Sequence, residues 1–431
     1  MTQFPDATVR RLLIALIHEA QSELGRTTGI EDRQRIAAMT FGHPDDKVDL
    51  LPIDDTSLGF DSIARLDLIS RVNQFFQLSD TGAEDYLLIS PSVGQWIKVV
   101  QSHLRQVGPD AAFAFRTSGS TGAATWHRHS LSDLRDEVDA LIKGPLAVFG
   151  PSARIVALVP PHHIYGFLFT CLLPVMVGSD LLDLRNHAPT ALARNGQVGD
   201  LVIGTPFVWQ TIAKTGLALP GGLQGVTSGG PSTQDTWLQQ GTGRPATMLE
   251  IYGATETGGI GFRTREEDGF TLLPHLTRSD AGDVLRRRTG NCLPLQDRLV
   301  WEGEKQFRLG GRLDHVIQVA GVNVNPAQVA ATICAVDGVA DATVRPDGDR
   351  LKGFVVPKAS ETDLDGLEMR IRHHMRTQLA APARVGNLTF GRALPQSIMG
   401  KLCDWPTGDR HPLQTTRGIG GNSVANVPVV N

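Results

Sequence analysis

Apolar positions recur at helical spacing over residues 7–24. Val9, Leu12, Leu13, Leu16 and Ile17 share one face, with Arg10, Arg11 and Glu19 opposite. A polar stretch from Gly25 to about Asp49 interrupts the pattern. It resumes in a helix whose apolar face is Ile63, Leu66, Ile69, Val72 and Phe76, capped by Ser57 or Asp61, and again over about Val93–Leu104. From Ala111 the pattern changes. Short apolar runs at 111–115, 154–159, 200–203, 224–227 and 247–251 read as strands that end in Gly, Pro, Ser or Thr turns. Helices are expected over 131–142, over the apolar run 168–177, and after Pro206. Strand, turn and helix in repetition predict α/β architecture, where ligands gather at the carboxyl ends of strands.

Beyond Leu285 the segments become shorter and more polar. Strands are expected at 299–302, 306–309, 316–319, 322–324, 342–344 and 353–356, with helices at 326–336 and 364–379 and a loop over 392–401. The expected organisation is therefore a helical segment over 1–108, a large α/β core of mixed sheets and helices over 109–312, a small α+β domain over 313–405, and a flexible tail over 406–431 that is rich in Gly, Asn and Thr.

Composition narrows the function. The chain has 431 residues, room for two or three domains and a large core. Forty-one basic and 45 acidic residues leave a formal net charge of −4, which gives no electrostatic reason to bind nucleic acid or an anionic membrane. Cys171, Cys292, Cys334 and Cys403 are scattered without CxxC spacing and read as free thiols in a reducing compartment. The first residues lack the basic and apolar regions of a signal peptide, and no apolar run reaches the roughly 18 residues of a membrane helix. A soluble, cytoplasmic protein is expected.

The candidate chemistry starts at Thr117-Ser118-Gly119-Ser120-Thr121-Gly122, which follows the strand 111–115. Every residue is small or hydroxylated, so backbone N–H groups and hydroxyls can approach a polyanion. It is not a Walker A loop, because no Gly-Lys-Ser/Thr follows. Alone, the hexapeptide reads equally well as a solvated linker. Further motifs stand at the other strand ends: Pro160-Pro-His162-His163-Ile-Tyr165-Gly166-Phe, Gly204-Thr-Pro-Phe-Val208-Trp209, Ser228-Gly229-Gly230-Pro231, and Tyr252-Gly253-Ala254-Thr255-Glu256-Thr257. Gly310-Gly311-Arg312-Leu-Asp314 and Pro395-Gln-Ser-Ile-Met-Gly-Lys401 close the series.

In this order the motifs resemble those of the adenylate-forming superfamily of acyl-CoA synthetases, aryl-acid ligases and luciferases, over about residues 111–402. The resemblance implies a ligase that condenses a carboxylic acid with ATP, releases pyrophosphate and passes the acyl group to a thiol. It implies that 117–122 hold phosphates, that Glu256 binds Mg²⁺, that Thr255 meets the α-phosphate, and that Tyr252, Gly253, Ala254 and Ser228-Gly229-Gly230 surround the adenine. Thr289-Gly290-Asn291 lies too far upstream to be the family's ribose motif. Asp297 stands at the right distance before Gly311 and takes that role, with Arg312 as a second phosphate or ribose contact. Asp314 becomes the hinge of a mobile C-terminal domain, and Lys401 bridges carboxylate and ATP. His163, with His162 as the alternative, gates the acyl pocket; Tyr165, Gly166, Val208, Trp209 and Gly253 wall it for a flat aromatic acid.

Two departures stand out. Ala124-Thr125 replaces the Pro-Lys that usually follows the phosphate loop, leaving His127, Arg128 and His129 as the nearest cations, with Arg128 as the substitute. The segment Leu58-Gly59-Phe60-Asp61-Ser62-Ile63, with Asp67 beyond it, resembles the phosphopantetheine site of acyl carrier proteins, and Ser62 would be the modified serine. The plain alternative is that Asp61-Ser62 merely caps a helix. The combination is similar to the AMP ligases of xanthomonadin and aryl-polyene pigment clusters. That implies 4-hydroxybenzoate (or 3-hydroxybenzoate) as the acid and the phosphopantetheine thiol of an acyl carrier protein as the acceptor. A benzoate- or cinnamate-type CoA ligase is the alternative, and an inactive nucleotide-binding scaffold for carrier docking is the reading from another class.

Overall fold

The structure, a computed structural model, describes residues 4–24, 48–117, 125–149, 154–185, 187–230, 247–279, 284–287, 290, 292–295, 297–312, 317–320, 322–395 and 405. Contacts group the chain into two bodies, Met1–Asn323 and Val324–Asn431.

The larger body opens with helices α1 (Asp6–Leu24), α2 (Ser62–Phe76) and α3 (Val93–Val107). Asp61 is the cap of α2, its carboxylate accepting Ala64 N at 2.8 Å, and Ser62 is exposed at the first helical position. Asp54 caps the short helix before it, so Ser57 receives a cap instead of supplying one. Phe75 and Phe76 of α2 meet Phe113 and Phe115 of strand β1 (Ala112–Thr117), and all but Phe76 also pack around Phe167, with ring centroids 4.7–6.2 Å apart. The N-terminal helices thus share one continuous core with the elements that follow. Each such ring contributes about 1.5–3 kcal/mol by leaving water.

Strand β2 (Thr125–Ser130) pairs antiparallel with β1. It carries few apolar residues, so hydrophobic pattern does not reveal it. Its partner β1 imposes the period, with Arg128 outward and His129 buried. Helix α4 (Leu131–Lys143) follows, capped by Ser130.

The large sheet has nine strands. β3 (Arg154–Ala157), β4 (Asp180–Asp183), β5 (Leu201–Gly204), β6 (Gln224–Thr227) and β7 (Thr247–Ala254) run parallel, in the spatial order 7-6-5-3-4. Antiparallel strands β8 (Gly258–Arg263), β9 (Phe270–Leu272), β13 (Asp297–Trp301) and β14 (Gln306–Arg312) extend it beyond β7. A second sheet holds β10 (Leu276–Arg278), β11 (Val284–Arg287) and β12 (Cys292–Pro294).

The apolar run expected as one helix begins at Ile164 and contains a π-helical turn over Leu168–Leu172. Pro174 lacks an N–H, so the Thr170 carbonyl loses its α-helical donor, and the Arg11 guanidinium of α1 donates to it instead.

The smaller body pairs β15 (Val339–Asp347) with β16 (Arg350–Pro357), and β17 (Val385–Phe390) joins β16 in parallel. Helices Pro326–Cys334 and Leu364–Gln378 bury Val329, Ile333, Leu367, Ile371 and Met375. Lys352 Nζ donates to Trp405 O at 2.7 Å, which ties the chain down just after Lys401. Cys171 is buried and Cys292 and Cys334 are exposed, all as free thiols. Among the described residues no helix is long and apolar enough to cross a membrane.

Candidate active site

Parallel strands all present their carboxyl ends on one edge of the sheet, so the motifs after β3, β5, β6 and β7 are brought together there. After β6, Ser228 is buried and donates to Ile251 O at 2.7 Å, while Gly229 has φ +85°, a conformation that favours glycine. After β7 the chain reverses through Thr255–Thr257. Thr257 Oγ1 accepts Ala254 N at 3.2 Å, and a Cβ on Gly253 would lie 2.3 Å from Gly258 O. This tight turn projects Glu256, half-buried, with no hydrogen-bond or ion-pair partner among the described residues.

Thr117 Oγ1 donates to Thr125 O at 3.2 Å and closes the mouth of the β1–β2 hairpin, whose loop is the phosphate-loop motif. Ser118, Gly119, Ser120, Thr121 and Gly122 themselves lie outside the described residues, as do Pro231, Asp314 and Lys401. Arg128, expected to replace the missing lysine, is exposed and pairs with Asp80 at 2.7 Å. His129 is no cation either: burial and Arg287 lower its pKa to about 4. Its Nε2 lies 2.7 Å from Thr255 O.

The antiparallel half carries Asp297, the residue expected to meet the ribose. Asp297 and Arg312 are direct partners in the β13–β14 ladder, beside a register shift at 297–299. Tyr252 OH donates to Asp297 Oδ2 at 2.5 Å, and its ring packs on Phe270 and Phe307. Three residues singled out separately in sequence thus meet across the edge of the sheet.

On the acyl side the His162 and His163 rings lie 4.5 Å apart. Desolvation lowers both pKa values, and nearby His163, Arg185 and His18 add to the effect on His162. His163 nevertheless keeps an exposed edge. Tyr165 OH donates to Gly204 O at 3.0 Å. Val208 sits near the start of the following helix, half-buried, with its N–H on the Thr205 cap. Trp209 is expected to help wall the slot. It is 4% exposed, packed with Val156, Val202 and Met248, and donates to Val226 O at 3.2 Å; its indole backs Gly204, where a Cβ would lie 2.9 Å from Nε1. Gly166 is likewise a packing residue, since a Cβ there would meet Pro160 O at 1.9 Å. Helix α1 also reaches this side. Glu19 Oε1 stands 3.7 Å from His162 Nε2, with its own pKa raised by burial. His18 is half-buried, and desolvation lowers its pKa to about 4. Helical periodicity alone did not point to either residue.

The profile described as AMP-binding enzyme matches residues 70–292, and that described as AMP-binding enzyme C-terminal domain matches 328–401. The chain belongs to the AMP-binding enzymes. It is 42% identical to a 4-coumarate–CoA ligase of Cereibacter sphaeroides, over 92% of this chain and 96% of that protein. It is also 42% identical to a 4-coumarate–CoA ligase of Rhodobacter capsulatus, over 92% of this chain and all of that protein. In fold it is similar to an amide bond synthetase of Marinactinospora thermotolerans, with a TM-score of 0.52, 20% identity and 67% of each chain covered.

This AMP-binding enzyme is an acid–thiol ligase of the adenylate-forming type. Its turn suits a divalent cation held jointly with a nucleotide. Among the described residues Glu256 offers a hard oxygen donor without a partner, and no cluster of three His, Cys, Asp or Glu forms a self-contained metal cage. Mg²⁺ is commonly bound this way, by one or two carboxylates plus substrate phosphates.

Proposed function

We propose that this enzyme is a hydroxycinnamate–CoA ligase, acting on 4-coumarate or a closely similar aromatic acid. The observation that supports this is the identity of 42% to proteins named 4-coumarate–CoA ligase, extending over 92% of the chain. Those names favour CoA as the thiol over the carrier protein expected from sequence. They also favour a cinnamate over the hydroxybenzoate of pigment clusters.

In the first step a carboxylate oxygen attacks the α-phosphorus of ATP, the bond to pyrophosphate breaks, and an acyl-adenylate forms. Thr117–Gly122 hold phosphates through N–H groups and hydroxyls. Glu256 would hold Mg²⁺, whose charge offsets that of the phosphate oxygens. Thr255 approaches the α-phosphate. Tyr252, Gly253, Ala254 and Ser228-Gly229-Gly230 flank the adenine. Asp297, already oriented by Tyr252 OH, accepts from the ribose hydroxyls, with Arg312 beside it. Lys401 bridges the acid and ATP, placing a cation where charge develops. His163 gates the acid, and Tyr165 and Val208 line its slot while Gly166 and Trp209 set the slot's shape from behind. In the second step the CoA sulfur attacks the acyl carbon. The C–S bond forms, the acyl–oxygen bond to AMP breaks, and the thiol proton is lost. Rotation of the small domain about Asp314 separates the two steps.

Acid-dependent ATP–pyrophosphate exchange tests this across cinnamates, benzoates and fatty acids, followed by thioester formation with CoA or with a phosphopantetheinylated carrier. Exchange is expected to be strongest with hydroxycinnamates, with CoA as acceptor. Lys401→Ala is expected to lower exchange by about 10²-fold or more. Preference for benzoates, or acceptance by carrier alone, overturns the reading. Absence of exchange from a folded sample favours the inactive scaffold. Added phosphopantetheine mass at Ser62 would revive the carrier assignment.

A further inference from the structure

The turn that carries Glu256 is gripped by buried polar groups from three elements. From β2, His129 Nε2 lies 2.7 Å from Thr255 O. From β11, Arg287 Nη2 donates to Thr257 O at 2.8 Å and stands 3.3 Å from His129 Nδ1. From α4, Glu137 Oε1 accepts Gly259 N at 2.7 Å, and Asp133 Oδ2 faces Arg287 Nη1 at 3.4 Å. All four side chains are buried.

The geometry decides the tautomer. A guanidinium can only donate, so His129 Nδ1 carries the lone pair and the ring proton sits on Nε2, donated to Thr255 O. The low pKa of His129 agrees, keeping the ring neutral. The turn is also shaped for this grip. A Cβ on Gly258 would lie 2.4 Å from Glu137 Oε2, and one on Gly259 2.6 Å from Oε1.

We propose that His129, oriented by Arg287, is a positioning residue that fixes the turn bearing Glu256 to the strand leaving the phosphate loop. The inference rests on the roles given above to Glu256 and to residues 117–122. Those two groups sit on separate elements, yet both must meet one triphosphate and its cation. The bond from His129 to Thr255 O links them directly, because β2 is the return strand of the phosphate-loop hairpin. Without the donor, the half-buried Thr255 carbonyl loses this partner, and the turn relaxes away from the hairpin to recover one.

The test compares His129→Leu with His129→Gln in the full chain. Leucine fills the space without a donor; the glutamine amide restores an N–H near Nε2. In ATP–pyrophosphate exchange, His129→Leu is expected to raise the MgATP concentration for half-maximal rate about tenfold, with the KM for the acid little changed, and His129→Gln to recover most of the loss. Equal MgATP dependence in all three proteins overturns the proposal. So does a loss in His129→Leu confined to thermal stability. If the variants do not fold, ¹⁵N-histidine NMR of the wild-type protein decides. A neutral ring protonated on Nε2 at pH 7 is expected, and an Nδ1–H tautomer or a charged ring overturns the proposal. Failure of the wild-type protein to exchange with any acid overturns the reading of the site instead, and the NMR result still judges His129.

Discussion

The turn Thr255–Gly259 and the helical layer of residues 4–108 belong to one body but are held in opposite ways. The turn depends on a few directional bonds from His129, Arg287 and Glu137, all made inside low-dielectric surroundings. The helical layer depends on area: Phe4, Phe75, Phe76 and Trp96 sink into a core shared with Phe113, Phe115 and Phe167. Directional bonds fix where a carboxylate points. Packed rings fix how much free energy holds the fold, and tolerate small shifts. The lesson concerns division of labour: position is set by polar contacts at the strand ends, and stability by the layer behind them.

The largest expected effect tests the packed layer. Phe75→Ala should cost about 3–5 kcal/mol of stability in denaturant titration, while the surviving folded protein keeps its MgATP dependence. A changed MgATP dependence would break the comparison, because it would give the helical layer a hand in positioning. Glu256→Gln probes the turn from the other direction. It should lower exchange about 10²-fold, roughly 2.7 kcal/mol, with the melting temperature nearly unchanged. A large fall in melting temperature would show that Glu256 is structural.

The smallest effect concerns pH. Burial raises the Glu137 pKa from 4.5 to about 7, against the pull of Arg287. In the folded state the carboxyl is therefore protonated at pH values where the unfolded chain has ionised it. Its contribution is fully present below about pH 4.5 and is lost as pH rises through about 7. For His129, lowered from 6.5 to about 4, the sign reverses, and stability is lost as pH falls from 6.5 toward 4. Glu137→Gln should therefore stabilise the protein relative to wild type more at pH 8.5 than at pH 5.5, read as melting temperatures. Equal differences at both pH values would place the Glu137 carboxyl in ordinary titration.

Periodicity located α1, α2 and α3, the parallel strands β3, β5, β6 and β7 and the helices of the small body, because each buries one face against a partner; it missed the short edge strand β4. It missed β2, whose residues are mostly polar and which is a strand only because β1 lies beside it. It also missed β8 and the three-stranded sheet of β10, β11 and β12, whose short segments become strands only through partners distant in sequence. The same limit applied to the site. Glu256 and Tyr252 stand in one recognisable local motif, and Asp297 is placed by its distance before Gly311. Arg287 and Glu137 stand in none, and their relation to Thr257 and Gly259 spans long stretches of chain.

The sequence by itself determined the α/β class and the order of motifs that an adenylate-forming ligase needs. Local patterns suffice for that, since strand ends and turns are written in neighbouring residues. Only the tertiary structure decided that Arg128 lies beside Asp80 at the surface, that Trp209 belongs to the core, and that the helices of residues 4–108 are part of the same packed body. It alone turned His129 from a candidate cation into a neutral donor, because burial and the field of Arg287 are properties of the folded surroundings and not of the residue.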